Sequence, residues 1–402
     1  MPAKRTITIV GGGVIGLTTA YALIQAGHDV TLIEREDNVG LQASFGNGGQ
    51  LSYRYVRPLA DAGVPLDAVS WMFRAGSPIS LKLRPDWHQW RWLLDFLAAC
   101  NARTNQKNAS ILLKLALRSQ ETLHQWQQDG LDGFLWRQPG KLVVYRNAAK
   151  FKKAAKAVTN RQQEQVLTPQ ECARIEPAFA SLAPRLAGGI FSPDDEVADC
   201  HLFCQSLLTA LQSHPSFRLL RGEARLEGGE NDRCRITIDG VKHETDVIVL
   251  AAGLASRALV KPLDIALPLY GLKGYSLTVQ SDDAVLPTVS VTDYDNRVVY
   301  ARLGNRLRLA AMVDIGTLDA SINPERIEHL KRLAAETLPA AGPYTSAATW
   351  AGMRPATPTG VPIIAPTQWK NLLLNVGHGA LGFTLSVGSA LTIRDLVEGM
   401  HS

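Results

Sequence analysis

The sequence predicts an α/β domain joined to an α+β domain with a large antiparallel sheet, and three stretches predict it. At the N-terminus a β-branched strand, TITIV at 6–10, runs into the glycine turn GGGVIG and then into an apolar helix. A second apolar strand with a small-residue turn, DVIVLAAG, follows at 246–253. Between these αβ-like ends and the C-terminus, NRVVYARL and NRLRLAAMVDI alternate over 296–315, the period of strands with one solvated or domain-facing side.

The first strand reads as buried and parallel because it is a short unbroken apolar run. Gly11, Gly13 and Gly16 set a G-x-G-x-x-G spacing, and LTTAYALIQAG carries helical periodicity as far as Gly27. HDVTLIE is the next strand and ends on Glu34, 23 positions after Gly11. Strand, glycine turn, helix and acid together define a Rossmann-like dinucleotide site. Gly11 permits the tight turn, Gly13 the approach of a pyrophosphate, and Gly16 close helix–strand packing. Val14 and Ile15 open the helix at the phosphates, and Glu34 takes a ribose diol. Arg35 reads either as an adenine-side contact or as a solvated arginine. The motif alone does not choose between NAD and FAD. DVIVLAAG, ending at Ala252 and Gly253, is the return strand of an FAD-type sheet, and no second G-x-G-x-x-G indicates a nicotinamide domain.

Near the C-terminus, NVGHGALGFTLSVGSALTIRDL at 375–396 places three glycines before an apolar helix. Gly377, His378, Gly379, Ala380, Leu381 and Gly382 surround that helix start. Its free N–H groups and dipole suit negative charge on the N1–C2 carbonyl edge of a reduced flavin. His378 adds a hydrogen bond or only shapes the turn. A glycine-rich helix–helix contact is the competing reading.

Composition narrows the alternatives. Hydrophobic residues make up 46% and charged residues 20%, and the net charge of +5 is too small to mark a nucleic-acid binder. Five cysteines, at 100, 172, 200, 204 and 234, are odd in number and form no CxxC pair, as in a reducing compartment. Cys200 and Cys204 flank His201 at core-helix spacing, so no metal is expected. The N-terminus lacks a secretory pattern, and no unbroken apolar run of membrane-spanning length is present. A cytoplasmic location, peripheral on the inner face of the membrane at most, is the expectation. LEGGENDR at 226–233 reads as an exposed turn between strands.

With these residues in view, the chain resembles the FAD-dependent D-amino-acid dehydrogenases of the D-amino-acid oxidase, glycine oxidase and sarcosine oxidase group. SFGNGGQLS (44–52), GVPLDAVSWMF (63–73), GGIFSPDDEVADCHLF (188–203), PLYGLKGYSLT (268–278), WAGMRPATPTGVPIIA (350–365) and NVGHGALGFTLSVGS (375–389) carry the likeness. SYRYVRPLA at 52–60 departs from it in its arginine and tyrosine content. The resemblance implies a discontinuous FAD domain over 1–80, 150–262 and 348–402, and a substrate domain over 81–149 and 263–347. It implies that Ser44, Asn47, Gly48 and Gly49 run along a non-covalent flavin. A covalent link of the sarcosine-oxidase type is not expected, because no cysteine follows Cys234.

The resemblance also implies that Arg354 clamps the substrate carboxylate by paired hydrogen bonds. Tyr275 and Tyr55 are next in line to bind the carboxylate or close the pocket, with Tyr53 and Arg302 behind them. Each tyrosine reads equally as a core or rim aromatic. The implied reaction is hydride transfer from Cα of a D-amino acid to FAD N5, then hydrolysis to a 2-oxo acid and ammonia. Electrons then pass to a quinone or another respiratory acceptor. Glycine, sarcosine or a cyclic imino acid such as D-proline or D-hydroxyproline is the alternative substrate class, and a non-catalytic FAD-binding subunit is the third reading. PDWHQWRWLLDFLAA (85–99) and FKKAAKAV (151–158) read either as ordinary packed or solvated helices or as membrane contacts.

Overall fold

A computed structural model describes residues 3–56, 58–60 and 77–400. The stretch GVPLDAVSWMF at 63–73 and Arg57 lie outside the described residues. Among those described, two large sheets organise the chain. The first has six strands, in the order Ile363–Pro366, Leu372–Val376, Val247–Leu250, Thr6–Val10, Asp29–Glu34 and Phe217–Arg221. Its five inner and far-edge strands are parallel, and Ile363–Pro366 alone pairs antiparallel at the near edge. Thr6–Val10 lies at the centre, with Ile9 paired to Val249 on one side and Leu32 on the other. Its side chains are covered on both faces, which is why the sequence there is continuously apolar.

One face of this sheet packs on the helices Val14–Gln25, Cys200–Gln212, Ala102–Gln128 and Gly382–Glu398, which share a single core. Gly388 sets the closest crossing. A Cβ there would lie 2.4 Å from the carbonyl oxygen of Leu115, and its N–H donates to Ser119 Oγ at 2.8 Å. By length and composition the segment Gly379–Glu398 is apolar enough to cross a bilayer. Most of it is buried, so core packing accounts for its apolarity. The sheet's other face packs against the antiparallel meander Ala224–Gly228, Cys234–Ile238 and Val241–His243. Of the stretch 226–233 expected as an exposed turn, 229–233 form the turn, while 226–228 complete the first strand with Leu226 buried.

The second sheet has nine strands. Eight run in the order Ala348–Ala356, Tyr270–Gln280, Arg306–Ile315, Val298–Leu303, Ser290–Asp293, Lys141–Tyr145, Gly188–Ser192 and Gln165–Leu167, and Ile79–Leu81 adds to Arg306–Ile315. It is antiparallel except where Lys141–Tyr145 meets Ser290–Asp293 and Ile79–Leu81 meets Arg306–Ile315. The alternating stretch at 296–315 forms a hairpin across Gly304, whose φ of +64° a side chain would resist. The back face carries Tyr275, Leu277, Ala311, Val298 and Tyr300 and packs on the helix Pro324–Thr337. The front face turns toward the first domain. Segment ownership differs from the expected boundaries in several places: residues 79–80 and 348–356, expected in the FAD domain, are strands of this sheet. Residues 165–192 contribute strands to this sheet, and the helix Ala102–Gln128 packs in the core of the other.

Candidate active site

The two parts of the fold meet where the parallel strands end. Seven described α-helices have ten residues or more, and five of them begin with a capping side chain: Asp86, Asn101, Asn147, Asp199 or Asn323. The two without one are Val14–Gln25, which starts at Gly13, and Gly382–Glu398, which starts at Leu381 after a short turn at Gly379–Leu381. Each follows the carboxyl end of a parallel strand. Uncapped N-termini leave N–H donors and a positive dipole end open to an anionic ligand.

Around the first helix the glycines act by contact. Gly11 has φ +111°, and a Cβ on it would meet the Ala251 carbonyl oxygen at 2.6 Å. A Cβ on Gly16 would sit 1.8 Å from the Gly11 carbonyl oxygen. Ser44, buried, accepts from the N–H of Val14 at 3.1 Å, and Ile15 is half-buried beside it in the first turn. Glu34 accepts from the N–H groups of Gly12, Arg35 and Glu36 at 2.7, 2.8 and 2.9 Å, which fixes its carboxylate at the end of the second strand. Arg35 turns outward, with Nε 3.3 Å from Glu36 Oε1.

The loop 44–49 crosses the front face of the large sheet. A Cβ on Gly46 would strike the Trp350 ring at 2.1 Å, one on Gly48 would lie 3.1 Å from Ala310 Cβ, and Gly49 adopts φ +73° beside Leu303. Asn47 Oδ1 accepts from the Gly49 N–H at 2.9 Å. Arg308, which the sequence reading missed, anchors the loop. It is buried, and it donates to the carbonyl oxygens of Asn47 and Phe45 and to Thr278 Oγ1. Its place as an inward residue on an alternating strand was the available signal.

At the second helix start, Gly377 and Gly379 take φ of +86° and +57°. Ala380 is exposed, and Leu381 and Gly382 are half-buried. His378 pairs with Ala356 across an isolated β-bridge, and Gly253 approaches Pro355. Thus the loop 252–253, the turn 377–382 and the strand carrying Arg354 converge. Ala252 lies against Gly11 on the other side. The His378 ring is spent within its own helix: Nε2 meets Ser389 Oγ at 2.8 Å, and Ser389 Oγ donates to the Leu385 carbonyl. Burial pushes His378 down to about 3, so the ring is neutral and shapes the turn.

Arg354 lies across from Leu272 on the front face, and its guanidinium passes over Gly274. A Cβ on Gly274 would stand 2.2 Å from Nη2. Nη1 donates to the Met312 carbonyl at 3.0 Å. Met312 has φ +66° at a register shift opposite Gly274, a bulge that aims this carbonyl. Burial lowers Arg354 to about 10, so it is charged at neutral pH, yet it forms no ion pair with any described residue. An unpaired desolvated guanidinium fits an incoming carboxylate.

The other substrate-end candidates lie elsewhere. Tyr275 is on the opposite face of its strand from Gly274, as the two-residue period requires. Its hydroxyl donates to Asp314 Oδ2 at 2.7 Å, and Arg326 also binds that carboxylate. Tyr53 is buried and donates to Glu196 at 3.1 Å, which also receives His124, Trp136 and Gln120. Arg302 pairs with Asp283 at 2.9 Å. Tyr55 packs on the front face beneath Lys141 Nζ, 4.2 Å from its ring, and Lys141 lies on a strand separated from that of Arg354 by four others. Lys141 is buried and bonded to Ser52; burial lowers it to about 8, against the pull of Asp195.

This is the arrangement of a dinucleotide-dependent oxidoreductase, with an unpaired guanidinium, that of Arg354, where the two sheets meet. The comparisons sharpen it. The chain belongs to the FAD dependent oxidoreductase family, which matches residues 6–396. It is 50% identical to D-amino acid dehydrogenase 2 of Pseudomonas aeruginosa over 398 residues, 98% of this chain and 95% of that one. It is 42% identical to D-amino acid dehydrogenase 2 of Ralstonia nicotianae, covering 97% and 96%. Its fold matches glycine oxidase from Geobacillus kaustophilus with a TM-score of 0.73 at 22% identity, over 99% and 96% of the chains. FAD is the cofactor of this family, and the two uncapped helix starts and the Glu34 carboxylate are groups that could hold one.

Proposed function

We propose that the chain oxidises D-amino acids to 2-oxo acids and ammonia and passes the electrons to a quinone or another respiratory carrier. The observation that carries this reading is Arg354, an unpaired guanidinium fixed over Gly274 and two residues from the strand end that touches the turn 377–382. FAD, when bound, supplies the hydride acceptor. Arg354 holds the carboxylate, and the Met312 carbonyl fixes the guanidinium plane. The free N–H groups at 379–382 favour negative charge at the ring edge. Positioning and charge stabilisation then supply most of the acceleration, so no strong side-chain base at Cα is required.

The D configuration and the non-oxygen acceptor are supported by the names of the relatives, both dehydrogenases. The reading also puts the enzyme in the cytoplasm, at the inner face of the membrane where such carriers lie. Turnover with a soluble dye acceptor tests it, using D- and L-amino acids, glycine, sarcosine and D-proline, with peroxide measured in parallel. Turnover of D-amino acids without peroxide is expected. Turnover confined to glycine, sarcosine or D-proline, or stoichiometric peroxide, contradicts it.

A further inference from the structure

The helix Trp87–Ala99 is apolar on both sides. Its inner face buries Trp92 against Tyr270, Leu272 and Ala356, with Trp92 Nε1 donating to the Ala356 carbonyl at 3.0 Å. Its outer face repeats at helical spacing: Trp87, Trp90, Leu94 and Leu97 are 74, 42, 58 and 51% exposed. A surface helix ordinarily turns polar residues to water, so an outer stripe of two tryptophans and two leucines marks a contact surface.

Charge identifies what that surface meets. Residues 82–118 hold seven basic side chains and two acidic ones, a surplus of five that equals the net charge of the whole chain. Lys82, Arg91, Arg103, Lys107 and Lys114 are exposed, and none forms an ion pair with a described residue. One of the two acids, Asp86, is occupied in capping the helix. Bulky apolar side chains at the crest and unpaired cations around them match the boundary between anionic headgroups and acyl chains.

We infer that the helix Trp87–Ala99 docks the protein on an anionic phospholipid surface, with Trp87, Trp90, Leu94 and Leu97 entering the headgroup layer. The docking face is close to the substrate site. Leu272, under Trp92, is the residue paired with Arg354, and Ala356 is two residues further along the same strand. A bilayer held there would meet a lipid-soluble carrier on the side of the large sheet that bears Arg354. Only this last step rests on the proposed dehydrogenase function; docking itself does not.

Vesicle co-sedimentation of the FAD-loaded protein without substrate tests docking apart from catalysis. Phosphatidylcholine vesicles with and without phosphatidylglycerol are compared at low and high salt. Binding to the anionic vesicles, weakened by salt, is expected. The triple change W87S/W90S/L94S should lower the affinity about tenfold or more, given the apolar area withdrawn, with flavin content and dye-linked turnover kept. A milder double change, R91Q/K107Q, should weaken binding to anionic vesicles only. Three results overturn the inference: wild-type protein that stays in solution, binding unchanged in the triple variant, or a dimer in solution that the triple variant dissolves. The last would make a second copy the occupant of this face.

Discussion

At the scale of single residues the site rests on one cation and the space made for it. Replacing Arg354 with Leu should weaken substrate affinity by several kcal/mol, as for a lost charge-assisted pair, with flavin retained; a titration of flavin bleaching measures it. Gly274→Ala tests the geometry separately. Its Cβ would stand 2.2 Å from Nη2, so the guanidinium must move, and kcat/KM should fall about a hundredfold while the fold survives. Unchanged kinetics in G274A would show that the guanidinium does not act from this position. Gly11, Gly16 and Glu34 were legible as a tight turn, a close helix–strand contact and a strand-end acid because they share one motif, whereas Arg354 was named only through the family resemblance. Tyr275 was not legible as a back-face residue from its motif alone. Strand parity against Gly274 was the decisive information, since adjacent residues face opposite ways. The Met312 bulge left no sequence signal, because an αL methionine is set by tertiary contacts.

At the scale of elements, the contrast in capping accounts for the two glycine-rich helix starts. Asp or Asn supplies the N-cap of the five capped helices, whereas Gly13 and Leu381 leave the other two starts without a side-chain bond, as suits an end that a ligand completes. Both starts were readable from their glycines. The side-chain role of His378 was not, because its partner Ser389 is eleven residues away within an apolar helix. The neutral buried ring sets a pH dependence. Its folded value of about 3 lies below the ordinary 6.5, so the unfolded chain takes up the proton first. This contribution to stability is present above about pH 6.5 and is lost as pH falls toward 3. Thermal unfolding of the FAD-loaded protein between pH 7 and 5 should show a falling Tm, and His378→Gln should flatten that slope. An equal slope in both proteins would remove His378 from the account.

At the scale of the whole molecule, the cofactor domain and the large sheet are joined by the loop 44–49, and Arg308 is the pin. It spans from Thr278 on the sheet to the carbonyls of Phe45 and Asn47. Arg308→Gln should loosen the loop and release FAD more readily, with a lower Tm and partial recovery when FAD is added; dialysis followed by flavin fluorescence measures it. The two-part architecture was legible from the strand–glycine–helix motif and the alternating hairpin. The segment boundaries were not, since strand partners such as Gln165–Leu167 and Gly188–Ser192 are fixed by long-range pairing that local pattern does not encode. Both parts of the fold serve to bring a D-amino acid to a bound flavin. The most direct measurement is an anaerobic visible spectrum of the purified protein, titrated with D- and L-amino acids. A flavin spectrum bleached by D-amino acids and untouched by their L-enantiomers is expected. A flavin that no D-amino acid bleaches, or a protein that binds no flavin, contradicts it.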